Sequence, residues 1–279
     1  MTCFTLLALA LVSAVVICMK TGSFENLCWL WLLPVGWLGS LVGLLMLIFL
    51  LVLAMSAAVD TGKPQKKDNG FYRFVIGCLI ELIQPILQIR LHTEGLEKTP
   101  KAGRFMLVCN HINDLDPPML LRCFRKSQLA FISKRENTTM FVVGKLMHKI
   151  MCQLINREND REALKTILAC IRLIQEDEVS IAVFPEGYTS MDGLLHPFRN
   201  GVFKIAQKTG VPIVVCTLRN TNQVFRNALR LKPTDVHLHL VAVIPPEEIK
   251  GQTTVDVGNR VHRLMAEDLG EDLVLKESS

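Results

Sequence analysis

The first 59 residues contain almost no charge, and this feature constrains the fold more than any other. They carry one base, Lys20, and one acid, Glu25. Two apolar stretches lie within them, residues 1–19 and 27–59, and each is about long enough to cross a bilayer. A hydrophobic core hairpin is the alternative, but runs this long are uncommon in soluble domains. We therefore expect residues 1–59 to form a membrane anchor with two hydrophobic spans.

The second apolar stretch also predicts the orientation of the anchor. Three helix-breaking residues interrupt its first third, so the cleaner helix is expected over residues 41–59. Four bases follow directly: Lys63, Lys66, Lys67 and Arg73. Because basic residues accumulate on the cytoplasmic side of a span, we expect the remainder of the chain to face the cytoplasm.

A third apolar segment follows the basic linker. Over residues 71–88, apolar side chains recur at spacings of three and four, which predicts an amphipathic helix that Pro85 bends or ends. Its apolar face suits either the membrane interface or the core of the protein, and the sequence pattern does not distinguish these two positions. We expect residues 60–86 to be a basic linker with this helix, and residues 87–279 to be one folded domain.

Apolar runs alternate with amphipathic stretches throughout residues 87–279. Seven runs are typical of strands: 88–92, 104–109, 128–133, 152–156, 179–184, 212–218 and 236–243. Five stretches are typical of helices: 117–124, 140–149, 160–176, 201–209 and 255–268. This alternation predicts an α/β domain, with a mixed, largely parallel sheet covered by helices.

Composition restricts the remaining possibilities. The chain has nine cysteines without any C-x-x-C pair, which is the pattern of a reduced protein without a zinc or iron–sulfur site. The net charge of +5 lies entirely in residues 60–279. A modest basic surplus beside an apolar anchor suits an anionic lipid surface, and we expect no nucleic-acid partner and no metal.

A histidine and an acid lie where a predicted strand passes into a predicted helix. Asn110 and His111 end the strand, and Asp116 precedes Pro117, a residue favoured in the first turn of a helix. Asp116 is placed to bind one ring nitrogen of His111 and leave the other free to accept a proton. This is the orienting half of a serine-hydrolase triad without the serine. A simple helix-capping pair is the alternative interpretation.

Two further strand ends carry polar groups. Pro185, Glu186 and Gly187 follow one strand, at the edge where open α/β sheets bind their ligands. Arg157 follows another, and its guanidinium group matches phosphate oxygens, while Lys134 follows a third strand with a second positive charge. A plain turn and solvated basic side chains are the simpler readings of these residues.

Taken in order, these motifs resemble the glycerolipid acyltransferases, and among them the 1-acylglycerol-3-phosphate acyltransferases. Four blocks match over about residues 87–220: N-H-x-x-x-x-D at 110–116, the apolar pair and x-R at 154–157, F-P-E-G at 184–187 and V-P-I-V at 211–214. Arg199 lies in a segment similar to the family's F-K-x-G, and Pro212 lies in the fourth block.

The resemblance implies a reaction and a role for each matched residue. His111 would take the proton from the acceptor's hydroxyl group, and Asp116 would orient His111. Arg157 and Lys134 would hold the acceptor's phosphate, together with Glu186 and Gly187, and Asn110, Pro185, Arg199 and Pro212 would support the site. The donor would be acyl-CoA or acyl carrier protein, without a separate cofactor, and lysophosphatidic acid would become phosphatidic acid.

The third block departs from the family pattern. It continues Tyr188-Thr189-Ser190, so the arginine of the family's T-R-S is missing, and Asn113 stands where many members have serine. Glycerol 3-phosphate or another lysolipid is therefore the alternative acceptor, and a catalytically weak lipid-binding protein of the same fold is a further alternative. A lipid-ester hydrolase would carry a G-x-S-x-G elbow, which this sequence lacks.

Overall fold

The computed structural model describes residues 2–21, 31–156, 159–190 and 192–275. The chain divides into two compact units, residues 1–63 and residues 64–279. The first consists of apolar helices, and the second contains the sheet.

The first unit is a pair of helices, α1 (Thr2–Lys20) and α2 (Leu32–Ala57). The Trp37 indole donates to the carbonyl oxygen of Leu7 at 3.4 Å, so the two helices lie side by side. Helix α2 has 26 residues and a mean hydropathy of 2.8, and it is the one helix in the described part of the chain that is long and apolar enough to cross a membrane. It starts nine residues before the expected position, because Pro34 lies in its first turn, where a missing N–H costs little.

The second unit is built on a seven-stranded sheet in the described residues. Its strands are β1 (Ile89–Glu94), β2 (Met106–Cys109), β3 (Leu129–Lys134), β4 (Gln153–Ile155), β5 (Ser180–Val183), β6 (Ile213–Arg219) and β7 (Thr234–Ile244). Their spatial order is β1-β7-β6-β2-β5-β3-β4, and every pair is parallel except β6 with β7. The expectation of a mixed, largely parallel sheet is confirmed.

Helices cover both faces of this sheet. They are α3 (Gly70–Ile86), α4 (Asp116–Cys123), α5 (Val143–Lys149), α6 (Asp160–Gln175), α7 (Lys204–Thr209), α8 (Val224–Leu229), α9 (Pro246–Ile249) and α10 (Thr254–Leu269). One apolar layer joins the sheet to α6, α7 and α10, and the other joins it to α3, α4 and α8. The central strand β2 is buried on both faces, with Met106 in the first layer and Leu107 in the second, as parallel strands between two helix layers require.

Helix α3 packs on the sheet domain with the side that carries its charged residues together with Ile76 and Ile80. Arg73 pairs with Asp68 at 2.6 Å and donates to the carbonyl oxygens of Leu129 and Ile150, so its guanidinium group is held within the sheet domain. On the same side, Glu81 accepts from Arg122 and Arg125, at 3.0 and 2.8 Å.

The opposite side of α3 is apolar and faces outward. Its large side chains are well exposed within this unit: Phe71, Phe74, Ile83 and Ile86, at 61%, 59%, 44% and 59%. A soluble protein normally buries the apolar side of such a helix, so this arrangement favours the interfacial interpretation over the core-facing one.

The sheet topology brings several strand ends to one edge. Strands β2, β3, β4, β5 and β6 run parallel to one another, so their carboxyl ends lie together. The polar residues that follow these strands are therefore neighbours in space, although about 110 residues of chain separate the first strand end from the last.

Candidate active site

His111 and Asp116 are brought together by the turn between β2 and α4. The Nδ1 atom of His111 lies 2.8 Å from Oδ2 of Asp116, and the Asp116 side chain is fully buried. Helix α4 begins at Asp116 with two prolines in its first turn, which explains why the turn is tight enough for the two side chains to meet. The expected pairing of base and acid is present in the structure.

Asp116 is held by four hydrogen-bond donors. Its Oδ2 atom accepts from His111 Nδ1 and from the backbone N–H groups of Ile112 and Asn113, each at 2.8 Å. Its Oδ1 atom accepts from the Thr221 hydroxyl at 2.5 Å. Because both carboxylate oxygens are fixed, Asp116 holds the imidazole of His111 in one orientation. Asp116 therefore binds His111 and also forms the start of helix α4.

The imidazole of His111 is fixed by two more contacts. Its ring stacks on Phe184, with ring centroids 4.1 Å apart and an angle of 20° between the planes. Because Nδ1 donates to a carboxylate, Nε2 of the neutral ring is the proton acceptor. That atom lies 3.1 Å from the hydroxyl oxygen of Thr189.

The buried carboxylate of Glu186 holds the loops around His111 in place. Its carboxylate is 1% exposed and accepts from the backbone N–H of His111 at 2.8 Å, the Ser190 hydroxyl at 2.6 Å and the backbone N–H of His196 at 3.0 Å. Burial raises the pKa of Glu186, while the bonds from Ser190, His111 and His196 lower it in part. With three protein donors, this buried carboxylate holds the loops around His111, and the expected role of Glu186 toward the substrate stays a prediction.

Gly187 allows the Arg199 side chain to approach the turn after β5. The backbone of Gly187 has a φ of +84°, and a Cβ atom at this position would lie 2.9 Å from Cδ of Arg199. The backbone N–H of Arg199 donates to the carbonyl oxygen of Pro185 at 2.8 Å, while its side chain is exposed. Only glycine fits this turn without strain, and the turn places a guanidinium group at the rim of the site.

Asn110 joins the ends of β2 and β6. Its amide group donates to the carbonyl oxygen of Leu218 at 2.9 Å and accepts from the backbone N–H of Leu218 at 2.7 Å. Pro212 lies at the opposite edge of the sheet, where its carbonyl oxygen accepts from Met106 N at 3.0 Å, because β6 runs parallel to β2 and begins there. Asn110 therefore supports the site, and Pro212 is not brought to it.

The two expected phosphate ligands are less close to this cluster. Lys134 ends β3, two strands from β2, and is exposed at the same edge of the sheet. At about 4.8 Å per strand, its Cα lies roughly 10 Å from the His111 strand. Arg157 lies outside the described residues, so its position relative to the cluster stays a prediction.

Three residues of the cluster have a contact role that the sequence did not predict. Thr221 is 105 positions from Asp116, and no local pattern points to it. Phe184 precedes the Pro-Glu-Gly turn, but stacking on a distant imidazole has no sequence signature. Thr189 was noticed only as a departure from the family pattern, although its place next to this turn was a usable signal.

The described residues also limit what else the site can hold. No group of three or more His, Cys, Asp or Glu side chains among them is arranged to bind a metal ion. The chemistry that the cluster itself offers is proton transfer at His111 Nε2, beside exposed basic groups.

Comparison with known proteins relates part of this domain to a family. Residues 90–219, just under half of the chain, match the sequence model of the acyltransferase family. The matched residues include β2 through β6, β1 from Arg90 onward, and every site residue described above except Thr221.

The chain is similar to named proteins from several organisms. It is 28% identical over 206 residues to the 1-acyl-sn-glycerol-3-phosphate acyltransferase of Cocos nucifera, covering 74% of this chain and 65% of the relative. It is 35% identical over 188 residues to the chloroplastic enzyme BAT2 of Brassica napus, covering 63% and 53%. A probable enzyme of the same name from Mycoplasma pneumoniae is 29% identical over 203 residues, covering 70% and 73%. The chain thus spans between about half and three quarters of these relatives.

A solved structure shares the fold of this chain. The crystal structure of the 1-acyl-sn-glycerophosphate (LPA) acyltransferase PlsC from Thermotoga maritima aligns with a TM-score of 0.58 and 22% identity. The alignment covers 85% of this chain and 97% of that one. At this identity the likeness concerns the fold, which extends beyond the matched residues 90–219.

Proposed function

We propose that the protein is a membrane-bound acyltransferase that moves a fatty acyl group from an acyl thioester to the free hydroxyl of 1-acylglycerol 3-phosphate, giving phosphatidic acid. The observation that carries the proposal is the His111–Asp116 pair at 2.8 Å, with Nε2 directed away from the carboxylate. The names of the relatives from Cocos nucifera and Brassica napus support the same acceptor.

His111 is the general base in this proposal. Its Nε2 atom takes the proton from the acceptor hydroxyl as the oxygen attacks the thioester carbonyl, and the imidazolium then returns a proton to the departing thiolate. Asp116 orients the ring and stabilises its charged form. Both functions need a fixed imidazole, which the Phe184 stacking and the four donors on Asp116 provide.

The phosphate of the acceptor is bound by basic side chains at the rim. Arg199 takes over much of this role, because Thr189 stands where the family has an arginine and the Arg199 side chain lies against Gly187. Lys134 contributes at longer range from the same edge, and Arg157 follows β4 in sequence, as in the family. Glu186 and Gly187 set the loop that presents Arg199.

In this proposal the enzyme lies at the membrane, and its lipid acceptor comes from the same membrane. Helix α2 has the length and hydropathy of a span, and the outward apolar side of α3 suits the lipid interface. Residues 1–59 then serve as the anchor with two apolar helices, residues 60–86 as the basic linker and interfacial helix, and residues 87–279 as the catalytic domain. Lys63, Lys66 and Lys67 favour the cytoplasmic face for that domain.

The acyl donor is a substrate, either acyl-CoA or acyl carrier protein, and no separate cofactor takes part. Both donors carry the acyl group as a thioester, and both are anionic, which suits the basic surplus of residues 60–279. Neither donor requires a redox or metal centre for the transfer.

A second acceptor deserves a test because of Thr189. The missing arginine removes one positive charge from the third block, which favours an acceptor with a smaller or less charged head group over a strongly clamped phosphate. A lysolipid with a neutral head group is therefore the first alternative. Glycerol 3-phosphate keeps the phosphate and is the second, and a lipid-binding protein without turnover is the alternative from another class.

The test is acyl transfer by the full-length protein in liposomes, with lysophosphatidic acid, glycerol 3-phosphate and neutral lysolipids offered separately. His111→Ala should lower transfer at least about 100-fold, because it removes the base, while lipid binding is unchanged. His237→Ala, the same substitution at an exposed position on β7, is the control and should keep wild-type rates. Equal rates in both variants would refute the role of His111, and no product with any acceptor would favour the lipid-binding alternative.

A further inference from the structure

A groove lies between helices α3 and α4, on the face of the sheet that both helices cover. Its volume is about 280 Å³, just below the range of about 300–1,000 Å³ that sites for whole small ligands occupy. Much of its wall is apolar and is formed by side chains that include Phe74, Ile80, Leu121 and Phe124. The groove therefore suits part of an amphiphilic molecule, such as a head group and the start of one chain.

Two guanidinium groups line this groove, those of Arg122 in the last turn of α4 and of Arg125 just after it. Each donates to the same carboxylate oxygen of Glu81, at 3.0 and 2.8 Å, so two cations share one anion and leave a net charge of +1. The two arginine side chains are 36% and 50% exposed. Arg73 also lines the groove but is engaged by Asp68. The exposed pair is thus placed to bind a second anion.

Gly77 makes room on α3 for the side chain of Arg125. A Cβ atom at this position would lie 3.5 Å from Nη2 and 3.7 Å from both Cζ and Nε of Arg125. The guanidinium group therefore lies against the backbone of α3. A long side chain at position 77 would extend into the groove and displace this group without changing the charge of the protein.

The groove opens on the outward apolar side of α3. Phe74 belongs to both, because it lines the groove and is 59% exposed. Phe71, three residues earlier on the same side, is 61% exposed. An apolar groove that adjoins an interfacial surface and carries a net positive charge matches a lipid with an anionic head group.

The groove is separate from the site around His111. Helix α4 begins at Asp116, which binds His111, and its eight residues give it a length of about 12 Å. Arg122 and Arg125 lie at its other end. The groove also contacts Leu129, the first residue of β3, at the amino edge of the strands whose carboxyl ends carry the site. A ligand in the groove leaves His111 accessible to the acyl acceptor.

We propose that this groove binds an anionic glycerophospholipid of the membrane, with its phosphate on Arg122 and Arg125 and one acyl chain along the apolar wall. A guanidinium group matches the oxygens of a phosphate. The head group carries no cation, because the ammonium group of a zwitterionic lipid would meet the net positive charge of the pair. The lipid is a bound component that holds the domain on an anionic surface. The inference goes beyond the proposed function and shares with it only the membrane location.

Native mass spectrometry of the full-length protein in a neutral detergent tests the lipid class. Dioleoylphosphatidylglycerol and dioleoylphosphatidylcholine are offered separately, and the bound lipids per chain are counted over a range of concentrations. We expect one phosphatidylglycerol per chain, bound at least about tenfold more tightly than phosphatidylcholine. Glycerol 3-phosphate carries the phosphate without the chains and should not displace the lipid. Equal affinity for the two lipids, or displacement by glycerol 3-phosphate, would overturn the assignment to an anionic lipid.

Two variants test whether the lipid lies in the groove. Replacing Arg122 and Arg125 together by glutamine should weaken phosphatidylglycerol binding at least about tenfold, because both phosphate ligands are removed. Gly77→Leu should weaken it as much without a change in charge, because the new side chain fills the groove. The control replaces two exposed arginines of α6, Arg161 and Arg172, by glutamine on the other face of the sheet and should bind like the wild type.

The outcomes separate binding in the groove from general attraction between charges. An equal loss in the α6 control, or full affinity in Gly77→Leu, would overturn the groove as the binding site. Thermal unfolding midpoints of all variants show whether a loss of binding reflects a loss of the fold.

The proposed function is tested apart from this inference. In detergent, the Arg122 and Arg125 variant should transfer acyl groups within about threefold of the wild-type rate, because the groove is remote from His111. A wild type that binds phosphatidylglycerol in the groove but acylates no lysolipid would overturn the proposed function and leave the inference standing.

Discussion

Replacing Asp116 by asparagine should remove one charge while keeping the geometry of the site. The amide oxygen can accept from His111 Nδ1 and from the backbone N–H groups of Ile112 and Asn113, as Oδ2 does now. The amide nitrogen then faces Thr221, whose hydroxyl can turn from donor to acceptor. All four contacts survive, so Asp116→Asn isolates the electrostatic contribution of the carboxylate to catalysis.

The size of the effect follows from the distance between the two groups. At an effective dielectric constant of about 20, unit charges 2.8 Å apart attract by roughly 6 kcal/mol. That is about four powers of ten in rate, as an upper limit. The three other donors on Asp116 already offset part of its charge, so we expect kcat for acyl transfer to fall by about 100- to 1,000-fold while the KM for the acyl donor changes by less than about threefold.

The assay is the initial rate of thiol release with saturating acceptor, beside the thermal unfolding midpoint of each variant. Thr221→Val is the matched control, because it removes one donor from Asp116 without changing its charge, and it should cost less than about tenfold. If Asp116→Asn transfers acyl groups within threefold of the wild type and unfolds at the same temperature, the stabilisation of charged His111 by Asp116 is not part of catalysis.

Three other expectations concern Gly187, Glu186 and helix α3. Gly187→Ala should destabilise the protein by about 1–3 kcal/mol, because φ is +84° and the new Cβ meets Arg199, and denaturant unfolding measures this. The free energy of unfolding of the wild type should fall relative to that of Glu186→Gln as the pH rises above 4.5. Burial raises the folded-state pKa of Glu186, so ionisation of this group favours the unfolded chain. Unfolding midpoints of both proteins at several pH values measure this relative loss of stability in the wild type. The double substitution Phe71→Ser and Phe74→Ser, made in folded residues 64–279, should weaken binding to anionic liposomes by at least about tenfold in a flotation assay. The reason is that each exposed ring contributes roughly 1.5–3 kcal/mol when it is buried in lipid. Unchanged flotation would refute the interfacial role of α3.

Much of the fold was readable because its signals are local. All seven strands coincide with apolar runs bounded by turn residues, and α6 agrees with its expected bounds to one residue. Helices α8 and α9 were not predicted, because six and four residues carry too little periodicity and depend on the packing around them. Helix α2 was expected too late in the chain, because Pro34 was taken as an interruption when it lies in the first turn.

Part of the site could also be predicted from the sequence, because its signals are local. His111 and Asp116 are five positions apart at the start of a helix, so their pairing could be inferred from spacing. The hydroxyl of Thr221 arrives from another strand end, and only the sheet order brings it to Asp116. Amphipathicity likewise showed that α3 has two unlike sides but not which one faces the protein, since ion pairs through Arg73 and Glu81 hold its polar side inward.

The dependence of Asp116 on Thr221 has a consequence for the order in which the protein matures. During synthesis the apolar helices α1 and α2 and then His111 emerge early, whereas β6 and Thr221 follow about a hundred residues later. Until β6 joins β2, Asn110 lacks its partner Leu218 and Asp116 lacks one of its four donors. A nascent chain can therefore expose its apolar N-terminal helices before the His111–Asp116 pair is complete, and a product truncated before residue 213, which lacks both β6 and Thr221, should remain inert although it contains His111, Asp116 and the F-P-E-G motif.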